Sequence, residues 1–281
     1  MRTAALLCSF AAVAWGQAPP APAKAKQPVP YSRHLMEVKQ YTQAENEAIV
    51  AKFKGLRTTD VFDGLQAAGI HKVTVMEREI GPMWSDNETF SHNIYGVAVT
   101  LRLVPPQETP PNTEFQSNAE MSKWQGTWGR RLMGGGYAQF LTKDTVLVID
   151  APLSADNGFC GSNNAQGWKN RGMAGIVTNA GCRDSDEIWR QRIPVYQRDS
   201  TRFINEGTIA VESYNTPIVV GGVLVMPGDV IVADLDGVAV VPRAKAELVA
   251  KIAREIHEGD NKTRERLFKD AGMKPDFTIT R

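Results

Sequence analysis

Cysteine and histidine are scarce in this 281-residue chain, which contains three cysteines and four histidines. The histidines are His34, His71, His92 and His257. None of them lies at a metal-ligand spacing from a cysteine or from another histidine, so the sequence has no zinc-type motif. We therefore assign no catalytic role to the histidines.

An excess of charge of one sign is also lacking. Lys and Arg total 32 against 31 for Asp and Glu, which gives a formal net charge of +1. There is no basic stripe with interleaved aromatic residues, so the sequence argues against nucleic acid as a partner. No internal repeat is visible. The glycines at 134–136 lack the Lys-Ser/Thr that follows in a phosphate-binding loop, and they are better interpreted as a hinge or turn.

The amino terminus has an apolar run too short to span a bilayer. Arg2 precedes "AALLCSFAAVAW", and the small residues Ala14 and Gly16 follow at a typical cleavage position. We predict a signal peptide over residues 1–18, with the mature chain beginning near Gln17, and export to the periplasm or the exterior without a stable membrane anchor. A buried N-terminal helix is the weaker alternative, because a Pro/Ala/Lys-rich linker is predicted over residues 19–40.

The rest of the chain, residues 41–281, is predicted to form a single α/β domain. Two short helices are expected first, capped by Thr42 and then by Thr59 or Asp60. Strands and helices then alternate: "IYGVAVTLRLV" and "DTVLVIDA" as strands, "NAQGWKNRG" as a helix, and "MAGIVTNA" and "IPVYQR" as strands. Its length and 42% hydrophobic content are sufficient for one sizeable core.

The last third of the chain predicts a compact β unit followed by helix. Residues 216–243 contain three β-branched runs separated by the turns GG, PGD and DLDG. Residues 244–272 are charged and amphipathic, which predicts one long helix or two, with Leu248, Ile252 and Ile256 on a common face.

The order of five segments resembles one known family. The segments are "TTDVFDGL", "GVAVT", "DTVLVIDA", "GIVTNAGCRD" and "GGVLVMPGDVIVADLDGVAVVP". Together they resemble, over about residues 45 to 260, the RraA-like family of 4-hydroxy-4-methyl-2-oxoglutarate aldolases, oxaloacetate decarboxylases and regulators of ribonuclease E activity. The resemblance implies an α/β/β swivelling-type sandwich with a long C-terminal helical segment, assembled as a homotrimer or hexamer with sites between subunits. The label dimethylmenaquinone methyltransferase, also used for this family, has no support, because no glycine loop for a methyl donor follows the first strand.

The resemblance also implies a chemistry and its residues. The family's enzymes cleave a carbon–carbon bond of a small 2-oxo acid, by retro-aldol reaction or decarboxylation, through pyruvate enolate. The substrate-binding arginine matches Arg183, the ligand of a divalent cation matches Asp184, and a substrate-binding loop matches Gly161, Ser162, Asn163 and Asn164. The cation is usually Mg²⁺, with Mn²⁺ as an alternative. Such a cation acts as a Lewis acid where negative charge develops, and arginine offers a planar fork to a carboxylate. A local ion pair and a plain helix cap are the structural alternatives.

The sequence departs from the family's pattern near this site. The aldolases carry an acidic residue where this chain has Ser162, and often Asp-Gly where it has Asn179 and Ala180. Losing that charge should weaken cation binding, although Asp150 or Asp156 could replace it. A non-catalytic binding or regulatory protein is therefore the alternative function. Ribonuclease inhibition is disfavoured because an exported protein would not meet that enzyme.

Three further features have open interpretations. Residues 105–137, with Trp124, Trp128, Arg130 and Arg131, form either a lid over the site or a surface segment packed on a neighbouring subunit. Cys160 and Cys182 either form a disulfide or are two buried thiols. Glu255 and Glu258 are candidates for a residue supplied by an adjoining subunit.

Overall fold

The first two helices begin where acidic side chains satisfy exposed backbone N–H groups. In the computed structural model, which describes residues 36–108, 114–152, 158–203 and 207–280, helix α1 spans Gln43–Phe53 and follows Thr42. Thr42 Oγ1 accepts from Glu45 N at 3.2 Å, and Glu45 accepts from Thr42 N at 2.7 Å. Helix α2, Thr58–Ala67, begins after Arg57. The predicted cap at Thr59 or Asp60 is wrong, because the Asp60 carboxylate reaches back to Arg57 N at 3.1 Å.

A mixed sheet forms the centre of the molecule. The described strands are β1 (Gly81–Pro82), β2 (Ile94–Val104), β3 (Thr145–Asp150), β4 (Gly158–Cys160), β5 (Gly175–Thr178), β6 (Gly181–Cys182), β7 (Val195–Gln197), β8 (Ala210–Tyr214), β9 (Ile218–Val220), β10 (Val223–Val225), β11 (Val230–Asp234) and β12 (Gly237–Val241). The main sheet has the order β1-β7-β5-β3-β2-β11-β12, with β8 also pairing with β2. Strands β2, β3, β5 and β7 are parallel, as expected for alternating strands and helices.

The C-terminal β unit has one more strand than predicted. The apolar runs on either side of the predicted GG turn become the antiparallel hairpin of β9 and β10. Gly221 and Gly222 have φ angles of +56° and +73° and form the turn between these two strands. Strands β11 and β12 form a second hairpin that joins the main sheet through β2.

The remaining helices cover the sheet and extend the chain. They are α3 (Asn118–Trp128), α4 (Ser162–Lys169), α5 (Ser185–Arg190), α6 (Ala246–Asp270) and α7 (Phe277–Thr280). Helices α1, α2 and α6 pack in one layer, which shares a buried cluster with β11 and β12. Helices α4 and α5 contribute to a separate cluster with β3 and β5.

Helix α6 packs through a different face from the one predicted. Val249, Ala253 and His257 are buried, whereas Leu248 is 44% exposed. The buried face is set by α2, where a Cβ added at Gly64 would lie 2.9 Å from Val249 O, so the two helices approach closely. Small residues at Gly64 and Ala253 permit this approach, which a pattern based on large apolar residues misses.

The α/β fold with its long C-terminal helix is confirmed, and residues Val38–Arg281 group as one compact unit. The predicted signal peptide and most of the predicted linker lie outside the described residues. Among the helices that the structure describes, none combines the length and the apolar character needed to cross a membrane.

Candidate functional site

The predicted site residues meet at the end of a small parallel ribbon formed by β4 and β6. Cys160 on β4 is the register partner of Cys182 on β6, and Arg183 N donates to Cys160 O at 2.9 Å. Helix α4 follows β4, and helix α5 follows β6. Because the carboxyl ends of two parallel strands lie at the same edge, this ribbon brings Arg183 next to the start of α4.

Two glycines, one in β4 and one directly after it, allow Arg183 and Asp184 to lie this close to the start of α4. A Cβ added at Gly161 would lie 2.7 Å from Asp184 Oδ2, and one added at Gly158 would lie 2.9 Å from the Arg183 side chain. Both distances are shorter than van der Waals contact, so any larger residue would displace the functional side chains. The predicted substrate loop and the Arg183–Asp184 pair are therefore in direct contact in the structure.

Asp184 is held in an uncommon backbone conformation. Its φ of 59° and ψ of 43° lie in the left-handed region, which few non-glycine residues adopt. Its Oδ2 accepts from Ser162 N at 3.1 Å, and its Oδ1 lies 3.5 Å from Arg183 Nε. The Arg183 and Asp184 side chains are each 34% exposed, so solvent and a small ligand can reach the pair.

The first turn of α4 faces this pair. Ser162 is only 3% exposed, and its backbone N–H is already used by Asp184. Asn163 and Asn164 are exposed, and their N–H groups lie in the first helical turn, where no helical carbonyl can accept from them. The helix start therefore offers donors that could bind a substrate carboxylate.

A second carboxylate, which the sequence analysis missed, lies beside Ser162. Ser162 Oγ donates a hydrogen bond to Glu187 on α5 and lies 3.5 Å from Asp184 Oδ2. Glu187 follows Asp184 by three residues and lies in the first turn of α5, so one short segment of chain carries both carboxylates to Ser162. That spacing was the available signal, since it is visible in "RDSDEI".

Asp150, considered above as a replacement for the missing acid, is bonded to residues outside the Arg183–Asp184 pair. Asn179 Nδ2 donates to Asp150 Oδ1 at 3.1 Å, and Arg102 Nε lies 3.7 Å from Asp150 Oδ2. Asn179 Oδ1 also accepts from Ala151 N at 2.9 Å, so Asn179 ties the end of β3 to the end of β5. The other replacement considered, Asp156, lies outside the described residues.

The donors around Asp184 suit a hard cation. Asp184, Glu187 and Ser162 offer oxygen atoms only, which is the donor type that Mg²⁺ prefers, with its other positions filled by water or substrate. Among the described residues, no group of three or more His, Cys, Asp or Glu side chains is placed to hold a metal ion. Two carboxylates and a hydroxyl fit a cation that keeps several waters, and they do not form a closed metal cage.

The two cysteines lie directly behind the site as register partners. Both are fully buried and are free thiols. A hydrogen bond to Cys182, together with burial, raises the pKa of the Cys160 thiol well above its usual value. The two side chains are therefore in contact, as the disulfide interpretation required, and in the structure they are two buried thiols.

The segment before β3 packs beside the site's supporting layer. The Trp128 side chain is buried, and its Nε1 donates to Ile209 O at 3.3 Å, while Trp124 packs on its ring with centroids 6.2 Å apart. Tyr137 contacts Phe159 of β4 and Trp168 of α4, with ring centroids about 6 Å away in both cases. Trp128 thus fixes this segment to the rest of the fold near Ile209. A role of the segment as a lid over the site stays a prediction.

The histidines and the two glutamates considered from the sequence have no hydrogen bond or ion pair with Arg183, Asp184 or Ser162 in the part of the chain that the structure describes. His92 Nδ1 accepts from Asp86 N at 3.0 Å, and burial lowers the pKa of this histidine. His257 is paired with Asp60 at 2.8 Å. Glu255 and Glu258 are exposed on α6, as a residue offered to an adjoining subunit would be.

The mixed sheet covered by helices defines an α/β protein, and its candidate site lies at the paired ends of β4 and β6. The family model "RraA-like: Aldolase/RraA" matches residues 58–240, and this chain belongs to that family. A protein of Halalkalibacterium halodurans named "Putative 4-hydroxy-4-methyl-2-oxoglutarate aldolase" is 34% identical over 128 residues, which cover 46% of this chain and 60% of that protein. The match therefore spans less than two thirds of that relative.

Solved structures share the fold. A protein from Pseudomonas syringae pv. tomato str. DC3000 superposes with a TM-score of 0.62 at 18% identity, over 87% of this chain and 96% of the other. Streptomyces coelicolor RraAS2, described as an unusual member of the RNase ES inhibitor RraA protein family, gives a TM-score of 0.59 at 23% identity, over 77% of this chain and 96% of the other. At these identities the likeness establishes the fold.

Proposed function

We propose that this protein is a divalent-metal-dependent lyase that cleaves a small 2-oxo acid, by retro-aldol reaction or oxaloacetate-type decarboxylation. The observation that carries the proposal is the contact between the Arg183–Asp184 pair and the first turn of α4, at a partly exposed edge of the β4–β6 ribbon. The aldolase name of the Halalkalibacterium halodurans relative supports the same reaction class.

Each residue has a defined task in this proposal. Arg183 binds the substrate carboxylate with its planar guanidinium, and the N–H groups of Asn163 and Asn164 add donors from the helix start. Asp184 holds the cation, aided by Ser162 N–H, which fixes the orientation of its carboxylate at 3.1 Å. Gly161 keeps these elements in contact because it has no side chain between them.

The reaction requires charge stabilisation more than it requires a covalent partner. When the carbon–carbon bond breaks, its electron pair moves toward the 2-oxo oxygen and gives the enolate of pyruvate. The other fragment leaves as CO₂ in decarboxylation, or as a carbonyl compound in the retro-aldol reaction after its hydroxyl proton passes to water. A proton from water then converts the enolate to pyruvate. A bound Mg²⁺ or Mn²⁺ supplies a Lewis acid for that oxygen. Arg183 and the N–H groups of the first turn of α4 hold the substrate so that the bond to be broken lies parallel to the π orbitals of the 2-oxo carbonyl.

The assembly and location of the protein are further proposals. We propose a homotrimer or hexamer, with exposed Glu255 or Glu258 of α6 offered to an adjoining subunit, and an exported mature chain. Gel filtration with mass measurement of the exported protein tests both, and a cytoplasmic full-length monomer would contradict both.

The activity test is a coupled assay for pyruvate. We expect release of pyruvate from oxaloacetate or from 4-hydroxy-4-methyl-2-oxoglutarate in the presence of Mg²⁺ or Mn²⁺, and loss of that release after chelation with EDTA. Since oxaloacetate also decarboxylates with metal alone, the control is the Asp184→Asn protein at the same metal concentration. No pyruvate above that control, from either substrate, would favour the alternative of a non-catalytic binding protein.

A further inference from the structure

We propose that a cavity at the amino-terminal end of β3 binds a small carboxylate anion that carries a flat apolar group. The cavity has a volume of about 500 Å³, which is within the range of small-molecule sites. Its lining includes Thr145, the first residue of β3, and Val97, the register partner of Thr145 on β2. Arg183, Asp184 and the loop 161–164 do not line this cavity, so the inference goes beyond the proposed reaction.

Two exposed aromatic rings line the cavity side by side. Phe140 and Tyr214 are 41% and 39% exposed, and their ring centroids lie 5.9 Å apart. A Cβ added at Gly136 would lie 2.8 Å from Tyr214 Oη, so a glycine of the 134–136 run leaves room for the ring of Tyr214. Exposed apolar side chains that are grouped at a cavity are typical of binding sites, and a flat apolar group can stack on such rings.

Tyr41, directly before α1, adds a third ring in a fixed position. The guanidinium carbon of Arg243 lies 4.1 Å from the centroid of the Tyr41 ring, and a Cβ added at Gly228 would lie 2.9 Å from the same ring. Arg243 is itself held by Asn46 Oδ1 at 2.9 Å and by Gly228 O at 3.3 Å. The buried residues 97–99 of β2 also line the cavity. The apolar part of the cavity is therefore formed before a ligand arrives, which lowers the entropic cost of binding.

The charge of the cavity indicates the charge of its ligand. Among the described residues that line it, Lys39 is the one with a charged side chain. Its Nζ lies 5.3 Å from the centroid of the Tyr41 ring. Glu45, whose charge interacts with Lys39, has its carboxylate bonded to Thr42 N and Thr42 Oγ1 at 2.7 and 2.8 Å. One positive charge beside aromatic rings complements a ligand with one negative charge and a flat apolar group.

A larger cavity between α1 and α6 lacks this combination. Its volume is about 630 Å³, and no aromatic side chain lines it. Two of its cations have acidic partners, since Lys52 pairs with Glu247 and Lys251 with Glu255. Lys251→Gln is therefore a matched control, because it removes the same charge as Lys39→Gln from an exposed lysine beside a different cavity.

The test is a ¹⁹F NMR titration of the intact protein with 4-fluorobenzoate and, separately, with neutral 4-fluorobenzamide. We expect saturable binding of 4-fluorobenzoate with a Kd of about 0.1 to 1 mM, the range for a ligand of this size. Lys39→Gln should weaken the binding of 4-fluorobenzoate about fivefold and leave that of 4-fluorobenzamide unchanged. Tyr214→Thr, which removes the ring, should weaken the binding of both probes about tenfold. Lys251→Gln should bind both probes within about twofold of wild type.

The Arg183→Lys protein separates this cavity from the proposed active site, and we expect it to bind 4-fluorobenzoate as the wild type does. Loss of binding in Arg183→Lys would place the carboxylate at the active site and overturn the proposal. The absence of saturable binding by the wild type, or equal weakening in Lys39→Gln and Lys251→Gln, would overturn it as well. Thermal unfolding shows whether each variant is folded. If Tyr214→Thr is not, the comparison of Lys39→Gln with Lys251→Gln decides the question, because both lysines are exposed.

Discussion

Two Arg–Asp ion pairs in this molecule consist of the same two residue types but lie in different environments. Arg57 and Asp60 have side chains 21% and 1% exposed, whereas Arg183 and Asp184 are both 34% exposed. Arg57 Nε contacts both oxygens of Asp60, at 3.1 and 3.0 Å. Arg183 reaches one oxygen of Asp184, at 3.5 Å. The first pair is a closed pair, in which Asp60 is buried and both residues have further protein partners, Asp260 for Arg57 and His257 for Asp60. The second is an open pair, which leaves hydrogen-bonding capacity toward solvent.

The neighbours of Asp60 complete the closed network. His257 Nδ1 lies 2.8 Å from Asp60 Oδ2, and Asn261 contacts His257 Nε2 at 3.0 Å. Burial would raise the pKa of Asp60, but the hydrogen bonds from Arg57 and His257 lower it below its usual value. Every polar atom of the Asp60 carboxylate is thus used by the fold, and the pair ties α2 to α6.

The neighbours of Asp184 leave its pair open. Asp184 stays in the left-handed backbone region, and glycine at 161 permits its contact with α4. Strained or close-packed backbone next to exposed charge is typical of functional sites, whereas buried and saturated charge is typical of structural ones. The surroundings of an Arg–Asp pair, more than its presence in the sequence, therefore indicate its role.

The largest effect should come from breaking the closed pair. Asp60→Asn removes the buried carboxylate that Arg57 and His257 share, although Arg57 keeps its pairing with Asp260. We expect a loss of about 2 to 3 kcal/mol in the free energy of unfolding, measured by urea denaturation. Asp184→Asn is the matched change at the open pair, with an expected loss below about 1 kcal/mol. Equal losses would show that the two pairs do not differ as described.

At the open pair, the effect should appear in function. Arg183→Lys keeps the charge but cannot reproduce the planar fork, so we expect kcat/KM for pyruvate release to fall about 10- to 100-fold. The free energy of unfolding should change by less than about 0.5 kcal/mol, because the side chain is partly exposed. Wild-type kcat/KM in this variant would place substrate binding elsewhere.

The close approach of Asp184 to Gly161 can be tested by replacing two glycines of the same chain segment, Gly161 and Gly167, with alanine. Gly161→Ala places a methyl group 2.7 Å from Asp184 Oδ2, so we expect the carboxylate to move and Mn²⁺ affinity to fall about tenfold. Gly167→Ala, inside α4 with open space around its Cβ, should keep the affinity and stabilise the fold by about 0.5 to 1 kcal/mol. Calorimetric titration and urea denaturation measure the two effects, and equal affinities in both variants would contradict the contact.

The smallest effect concerns the thiols behind the site. Because Cys160 and Cys182 are fully buried and the pKa of the Cys160 thiol is raised, we expect alkylation of the native protein to be slow. After unfolding in denaturant without reductant, mass spectrometry should find both thiols labelled. An unlabelled pair that becomes reactive only after reduction would instead identify a disulfide.

Much of the fold could be predicted from the sequence because its elements carry local signals. The bounds of β2 match the predicted segment, and Thr42 caps α1 as expected. The predicted face of α6 is only partly buried, with Ile252 and Ile256 half-buried and Leu248 exposed. Its main packing face depends on a small residue of α2, Gly64, which no periodicity within α6 reveals. In the C-terminal unit the predicted turn at Gly221 and Gly222 is confirmed, whereas the number of runs was one short, since the turns GG, PGD and DLDG lie between four strands.

The candidate site was only partly predictable. The sequence indicated Arg183, Asp184 and the loop after Gly161, and the structure brings these residues into contact. Glu187 was missed because its relevance depends on Ser162 lying across a gap of twenty-five residues in the chain, on a different helix. Contacts between separate helices are set by the tertiary fold, which no local pattern encodes.

The most direct test of the comparison is to measure Mg²⁺-dependent pyruvate release and the free energy of unfolding together, on the Asp184→Asn protein. We expect pyruvate release to fall to the level of metal alone, while the free energy of unfolding changes by less than about 1 kcal/mol. Wild-type pyruvate release, or an unfolding free energy lowered as much as in Asp60→Asn, would show that Asp184 is structural and that the site is not at the open pair.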